Sequence, residues 1–228
     1  MPDQPRDLTA FQRRWHDYYS EKRIVHQWMQ VHLLRDLPVR RVLEIGPYLG
    51  LVTAMLASAG YRAVTLDVDP GARAGLASHA DASVQGDVRD LDSDALAARG
   101  FDAVLCCETL EHLPYAQVPA VLARLAAIGA PYLVLSVPYM GPQLSLSLYL
   151  NRHLVRARTA LKKLAPFKRF PAPAEDGAWE PHKWEIGYRD YPLAGFRALV
   201  EAHFRILRTE FTGGCRSVFF LCENRHKR

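Results

Sequence analysis

The sequence predicts an α/β fold: a parallel sheet with helices on both faces. Three stretches of the 228-residue chain carry that prediction. Val42, Leu43 and Ile45 form a short apolar run, as a strand buried on both faces does. Gly46 and Gly50 then bracket a tight turn, and LVTAMLASA reads as a helix that stops at Gly60. A second apolar strand, AVTLD, ends in Asp67, 21 residues after Gly46.

Strand, glycine turn and helix bring backbone N–H groups to a helix N-terminus, where the dipole favours an electron-rich ligand. An acid at the end of the next strand can accept hydrogen bonds from both hydroxyls of a ribose. A nucleoside is therefore expected across the carboxyl ends of the first two strands. Gly46-x-x-x-Gly50 does not fit the G-x-G-x-x-G of a dinucleotide site.

The set Glu44, Gly46 and Gly50 resembles the first motif of class I S-adenosylmethionine-dependent methyltransferases, an acid followed by glycines at alternate positions. Tyr48 stands where the middle glycine usually sits, with Pro47 and Leu49 beside it. That departure hangs a side chain where backbone normally approaches the ligand. The resemblance implies a Rossmann-like seven-stranded methyltransferase sheet and S-adenosylmethionine as cofactor. It implies cofactor contacts from Glu44, Gly46, Pro47, Tyr48, Gly50, Asp67 and Val68. Gly86-Asp87-Val88 resembles the element whose acid meets the adenine amino group, with the Val88 N–H beside the ring. FDAVLCCETLEHL resembles the fourth-strand motif of small-molecule members, which puts Cys107 and Glu108 next to the methyl donor. Residues 1–40 are expected as an N-terminal helical cap. Residues 41–228 are expected as the methyltransferase domain, with a lid insert over 139–178.

Composition bounds the reading. With 49% hydrophobic and 23% charged residues, the chain reads as one globular domain. Its start, MPDQPRDL, is charged and contains proline, unlike a secretory signal. Cys106, Cys107, Cys215 and Cys222 form no C-x-x-C pattern, so reduced thiols in the cytoplasm are expected. The net charge is +5, and from His112 through Ala174 there is no acid at all. Arg152, Arg156, Arg158, Lys162, Lys163, Lys168 and Arg169 cluster within that stretch. Such a block suits an anionic partner, or the solvated face of a helix.

Along the chain, residues 11–37 read as helical, with Trp15, Tyr18, Tyr19 and Trp28 as aromatic docking or cofactor-covering positions, and Pro38 ends them. Asp69 reads as an N-cap with Pro70 at the first turn of a helix over 71–80. Ser83–Gln85 is a third strand, LDSDALAARG a helix, AVLARLAAI a helix, and YLVLSVP the fifth strand. The 27 uncharged residues between Arg124 and Arg152 are not a membrane span, because Pro131, Pro138, Gly141 and Pro142 interrupt them. Leu150, Leu154, Ala157, Leu161 and Leu164 recur at helical spacing, which predicts a basic amphipathic helix over 143–164. It would serve as an active-site lid, or rest on an anionic membrane surface through 143–169 and make the protein peripheral to the inner face of a membrane. FRILRTEF and SVFFLCEN read as a closing hairpin.

Glu108, Glu111 and His112 form E-x-x-E-H and would share one face of a helix. With His182 they are candidate ligands for a divalent ion such as Mg²⁺. The segment is similar to that of small-RNA 2′-O-methyltransferases and of ubiquinone-pathway O-methyltransferases, both with a later histidine like that of His182-Lys183-Trp184. His182 and His112 are the candidate catalytic residues. Without a metal His182 is the first choice of base and His153 the second. The function expected is O-methylation of a small polar, quinone-like or lipid-linked acceptor. The alternatives are an RNA 2′-O-methyltransferase and a non-catalytic S-adenosylmethionine-binding module. Nucleic acid ranks lower because the basic block lacks interleaved aromatics.

Overall fold

The computed structural model describes residues 9–69, 79–162, 168–171, 181–212 and 216–226. Helix α1 spans Ala10–Tyr18 and starts in a capping box: the Thr9 side chain accepts from the Gln12 N–H, and the Gln12 side chain accepts from the Thr9 N–H. Helix α2 spans Glu21–His32. The helical run expected over 11–37 is therefore two helices, broken where Tyr19 and Ser20 take extended backbone. Tyr19 leaves the helix to place its hydroxyl at the Leu51 N–H, in the first turn of the next helix.

The sheet has seven strands: β1 (Arg41–Ile45), β2 (Arg62–Asp67), β3 (Ala82–Gln85), β4 (Ala103–Cys107), β5 (Tyr132–Pro138), β8 (Phe204–Thr212) and β9 (Ser217–Asn224). Their order is β3-β2-β1-β4-β5-β9-β8. The first five are parallel, and β9 runs antiparallel to both β5 and β8. Among the described residues four helices lie between strands: α3 (Leu51–Ser58), α4 (Ser93–Ala97), α5 (Val118–Ala127) and α6 (Leu193–Glu201). The apolar strands alternate between two cores. Leu43, Ile45, Leu66 and Cys106 pack into one, while Val42, Ala63, Leu105 and Cys107 pack into the other with Leu33, Leu34 and Leu56. Cys106 and Cys107 thus point to opposite faces, as their adjacency predicts. Cys106, Cys107 and Cys222 are free and buried. Cys215 and the helix expected over 71–80 lie outside the described residues, apart from the last two positions of the latter. Among the described residues no helix is long and apolar enough to cross a membrane.

One expectation is overturned. The insert after β5 is not a helix but a two-stranded hairpin, β6 (Gln143–Asn151) and β7 (Leu154–Lys162). The sequence holds two periods at once. Leu150, Leu154, Ala157 and Leu161 suit a helix, but Leu144, Leu146, Leu148 and Leu150 alternate strictly with Ser145, Ser147 and Tyr149. Alternation is the strand period, and Asn151 closes the turn by accepting from the His153 N–H.

After the hairpin the chain returns to the sheet over residues 182–188. Ile186 donates to the Pro138 carbonyl at 3.0 Å and accepts from the Met140 N–H at 2.7 Å. Gly187 has φ +102°, and a Cβ there would meet the Gly141 backbone. Trp184 is fully buried and its Nε1–H donates to the Leu113 carbonyl at 2.9 Å. Trp184→Ala is expected to lose roughly 3–5 kcal/mol in denaturant unfolding, as large buried aromatics do. A loss below about 1 kcal/mol would show that the return segment is anchored elsewhere.

Candidate active site

A cleft of about 800 Å³ opens at the carboxyl ends of β1, β2 and β4. Glu44, Gly46, Pro47 and Tyr48 form its first wall, Asp67, Val68 and Val88 the next, and Cys107 and Glu108 its floor. Gly46 has φ +70°, donates its N–H to the Leu66 carbonyl at 2.9 Å, and would place a Cβ 2.9 Å from Thr109 Oγ1. Only glycine meets both conditions. Gly50, at φ +81°, donates to the Pro47 carbonyl and starts α3, so it shapes the turn without lining the wall.

Two carboxylates flank the turn. Glu44 is buried, and the Thr53 hydroxyl donates to its Oε2 at 2.6 Å. Burial outweighs that bond and raises its pKa to about 7. Asp67 is also pushed up by burial, against hydrogen bonds from the Asp69, Tyr48 and Val68 backbones. The Asp87 carboxylate caps a short turn and pairs with the Arg89 guanidinium at 2.6 Å, between Gly86 and Val88, which line the cleft. Burial opposes ionisation of Asp87, but the Arg89 hydrogen bonds win and its pKa is lowered.

Tyr48 sits in the left-handed region at φ 50°, a conformation an α or β residue avoids, so it occupies the backbone shape that the missing glycine would take. Its ring is half exposed and lies 4.7 Å from the Tyr18 ring, with the Arg23 guanidinium 3.8 Å over the Tyr18 ring. Tyr18, Tyr19 and Arg23 line the cleft, and Trp28 does not. Trp28 stacks on His32 instead.

At the other end of the cleft the structure gathers Glu111, His112 and His182, with one ligand atom of each within 4.8 Å of the others. The His112 and His182 rings are 5.1 Å apart. Glu111 and His112 lie on a single 3-10 turn, Leu110–His112. The expected shared helical face does not include Glu108, which takes φ 50° just before that turn. Its carboxylate accepts from the Ser136 hydroxyl at 2.9 Å and lies outside the three-residue cluster. The Lys183 N–H donates to the Glu111 carbonyl at 2.7 Å, so the return segment hangs directly on the 3-10 turn. His182 Nδ1 is 2.9 Å from Glu185 Oε1, which leaves Nε2 for a ligand. His153 sits in the exposed hairpin turn, away from the cleft lining.

Glu111 is fully buried and neither carboxylate oxygen has a hydrogen-bond partner. Burial, reinforced by the Glu108 charge, holds its pKa well above the ordinary carboxylate range. Burial also raises Glu108 to about 7. Sequence reasoning missed Glu185, and it missed His26 and Gln30, two buried polar residues of α2 that line the cleft. α2 is mostly polar and exposes Ile24, Val25 and Trp28, so no period in the sequence marked His26 and Gln30 as its buried positions.

This sheet order, with a cofactor-sized cleft over the glycine turn and an acid at the end of β2, is that of a class I S-adenosylmethionine-dependent methyltransferase. Residues 13–175 match the profile of the family described as methyltransferase domain, and the chain belongs to that family. The chain is 32% identical over 180 residues to the ubiquinone biosynthesis O-methyltransferase of Hahella chejuensis, covering 73% of each. It is 28% identical over 194 residues to the enzyme of that name from Stutzerimonas stutzeri, covering 75% of this chain and 78% of that one. Among solved structures it resembles the magnesium protoporphyrin IX methyltransferase of Synechocystis with bound S-adenosylhomocysteine, at TM-score 0.62 and 16% identity over 93% of both chains. The Bradyrhizobium japonicum N-methyltransferase NodS, also with S-adenosylhomocysteine, matches at TM-score 0.61 and 14% identity over 96% of this chain and 94% of that one. The protein is an S-adenosylmethionine-dependent methyltransferase.

Glu44 gives a pH test. Its folded pKa of about 7 lies above the ordinary 4.5, so its stabilising contribution is present below pH 4.5 and fades as pH rises through 7. Glu44→Gln keeps an acceptor for Thr53 and removes the titration. In the cofactor-free protein the stability of Glu44→Gln relative to wild type is expected to improve by up to about 3 kcal/mol between pH 4.5 and 8. A difference independent of pH in urea unfolding would mean that Glu44 is not the neutral, buried acid described.

Proposed function

We propose that the chain methylates an oxygen of a small, hydroxylated, quinone-like acceptor, with a divalent cation held by Glu111, His112 and His182. The observation that carries the metal is Glu111: a sealed carboxylate without a hydrogen bond needs a cation or a proton, and two imidazoles stand beside it. One carboxylate and two imidazoles suit Mg²⁺, Mn²⁺, Fe²⁺ or Zn²⁺. The acceptor class is supported by the name that the curated relatives share, ubiquinone biosynthesis O-methyltransferase.

When bound, the cofactor supplies a methyl group already activated on sulfur, and the cation supplies charge that acidifies an acceptor hydroxyl. The chain supplies position. The glycine turn and Asp67 would hold the nucleoside half of the donor, with Cys107 and Glu108 lining the cleft beyond them. Glu185 holds the His182 ring in one tautomer with Nε2 turned to the cluster, and Lys183 and Trp184 lock that residue to the turn bearing Glu111. Tyr18, Tyr19 and Tyr48 line the opposite rim. With chelator present, transfer to a dihydroxybenzene acceptor is expected to fall at least ~100-fold and to return with Mg²⁺ or Mn²⁺. Glu185→Gln is expected to weaken metal binding by about 10-fold to 100-fold in a direct titration while S-adenosylmethionine binding holds. Full activity in chelator would end the metal reading and leave His182 Nε2 as the base that takes the hydroxyl proton.

The partner surface is a second inference, and one observation favours it. Leu144, Leu146, Leu148, Leu150 and Val155 stand on one face of the β6–β7 hairpin and are 62–76% exposed. A leucine face that large asks for a partner. Arg152 and Arg156 flank it, and no acid occurs from 112 to 174. An anionic lipid surface answers both features, and an acceptor with an apolar tail would be found there. The protein is expected to co-sediment with vesicles containing phosphatidylglycerol, less with phosphatidylcholine alone, and not after Leu146→Ser with Leu148→Ser. Loss of vesicle binding by neither change, or a stable dimer that the serine variant dissolves, would assign the face elsewhere.

A further inference from the structure

His26 is a buried histidine that the cluster above does not use. It is 4% exposed, its ring packs 4.9 Å from the Phe219 ring, and neither ring nitrogen has a hydrogen-bond partner. Its pKa is lowered to about 4, by burial and then by Arg23, so the ring is neutral at physiological pH. An unbonded buried imidazole costs free energy unless a ligand or a local shift completes it. The group it faces is Glu108: Nε2 lies 4.0 Å from Oε1, about 1 Å beyond hydrogen-bond length.

Glu108 is itself set up for contact. Its backbone is in the left-handed region, a strained state for a residue with a side chain, and such states gather at functional sites. Ser136 donates to the same Oε1 at 2.9 Å, which leaves Oε2 for another donor. The side chain keeps 31% of its surface open, and it opens into the cleft. The buried Ser217 side chain faces the same carboxylate, and Gln30 lines the same cleft. His26 from α2 and Ser217 from β9 thus meet one carboxylate, outside the Glu111–His112–His182 cluster.

We propose that Glu108 is a binding residue for the methyl acceptor, taking a hydrogen bond from an O–H or N–H of that molecule, and that His26 is its positioning residue. The inference rests on the O-methylation reading for the identity of the acceptor, but not on the metal. When the acceptor's donor reaches Glu108 Oε2, the carboxylate shifts so that Oε1, which already accepts from Ser136, closes the missing ångström onto the His26 Nε2–H. The acceptor is then held at a second polar point besides the oxygen that receives the methyl. A molecule with a single hydroxyl and no second donor would bind less well than one with two.

The test is a double-mutant cycle on the full chain with S-adenosylhomocysteine or S-adenosylmethionine present. With a dihydroxybenzene acceptor, His26→Phe is expected to raise KM about 10-fold to 100-fold, the worth of one hydrogen bond to a charged group. The effect on cofactor affinity in calorimetry is expected to stay below about twofold. His26→Gln, which keeps a donor, restores part of the loss. In a Glu108→Gln background His26→Phe adds nothing, because its partner is gone. Additive losses, or cofactor affinity falling in parallel with KM, would overturn the proposal and make His26 a packing residue. A second readout needs no turnover. In the S-adenosylhomocysteine complex with the acceptor, a ring N–H of His26 is expected as a downfield proton resonance that Glu108→Gln removes, and its absence overturns the couple. If no oxygen acceptor is methylated by wild type, the O-methylation reading falls, and that resonance, recorded with the dihydroxybenzene probe at saturation, still decides between couple and packing.

Discussion

One backbone hydrogen bond, from the Lys183 N–H to the Glu111 carbonyl, joins two parts of the chain that are 72 residues apart and puts a histidine from each beside the other. Everything at that end of the cleft depends on it. The bond is short, 2.7 Å, and it is shielded because the next residue, Trp184, buries its whole ring and bonds the Leu113 carbonyl. Below, Ile186 and Gly187 zip onto the end of β5 and the Gly141 backbone. Three residues in a row therefore do three things: His182 faces the site, Lys183 ties the turn, and Trp184 fills the core. A displacement of the order of 1 Å along this strand would separate the two imidazoles, and rate losses from such misplacement are steep.

The same logic explains how much could be read in advance. β1, β2, β4 and β5 were legible because strands buried on both faces have a continuous apolar signature that few other elements share. The glycine turn was legible because φ near +70° and a 2.9 Å approach to Thr109 leave no other residue type for position 46. The hairpin was not legible because its residues satisfy two periods, and choosing the helical one ignored the Leu144–Leu150 alternation. Asp87 follows β3 as the motif places it, and it pairs with Arg89 two residues on, an ion pair that a motif does not show. Glu108 is a case where the structure differs. Its spacing from Glu111 suggested one helical face, but the chain leaves β4 with a left-handed residue and only then turns, so the spacing rule had no helix to act on.

Tyr48 shows how a departure from a family pattern can be absorbed. A left-handed tyrosine costs of the order of 1 kcal/mol more than glycine would. The turn keeps its shape, with Gly46 and Gly50 both at positive φ and the Gly50 N–H on Pro47. The side chain is sent outward and meets Tyr18, whose other neighbour is the Arg23 guanidinium. Tilted aromatic and cation–π contacts of this kind contribute about 0.5–1.5 kcal/mol each, enough to offset the backbone term. Position 48 has changed from a residue that gets out of the ligand's way into one that fastens the N-terminal helices over the cleft. Tyr19 fastens them a second time, at the Leu51 N–H.

Those two fastenings set the order in which the site can be filled. The donor cleft lies beneath α1 and α2, and the contacts that hold them are made through side chains at the rim: Tyr18 to Tyr48, Arg23 to Tyr18, Tyr19 to the start of α3. α2 also reaches the close-packed core, through the buried His26 ring on Phe219 and through Met29 and Val31. α1 is exposed along most of its length, so it is the part that can lift while α2 and the sheet stay in place. The opposite end of the cleft has the reverse character. Glu111, His112 and His182 are held by a buried tryptophan and backbone bonds, and cannot open without disturbing the core. A cofactor consumed at every turnover needs the loose end, and the cation we propose would need the rigid one. The division of one cleft between a fastened rim and a rigid cluster suits a donor that must exchange at every cycle.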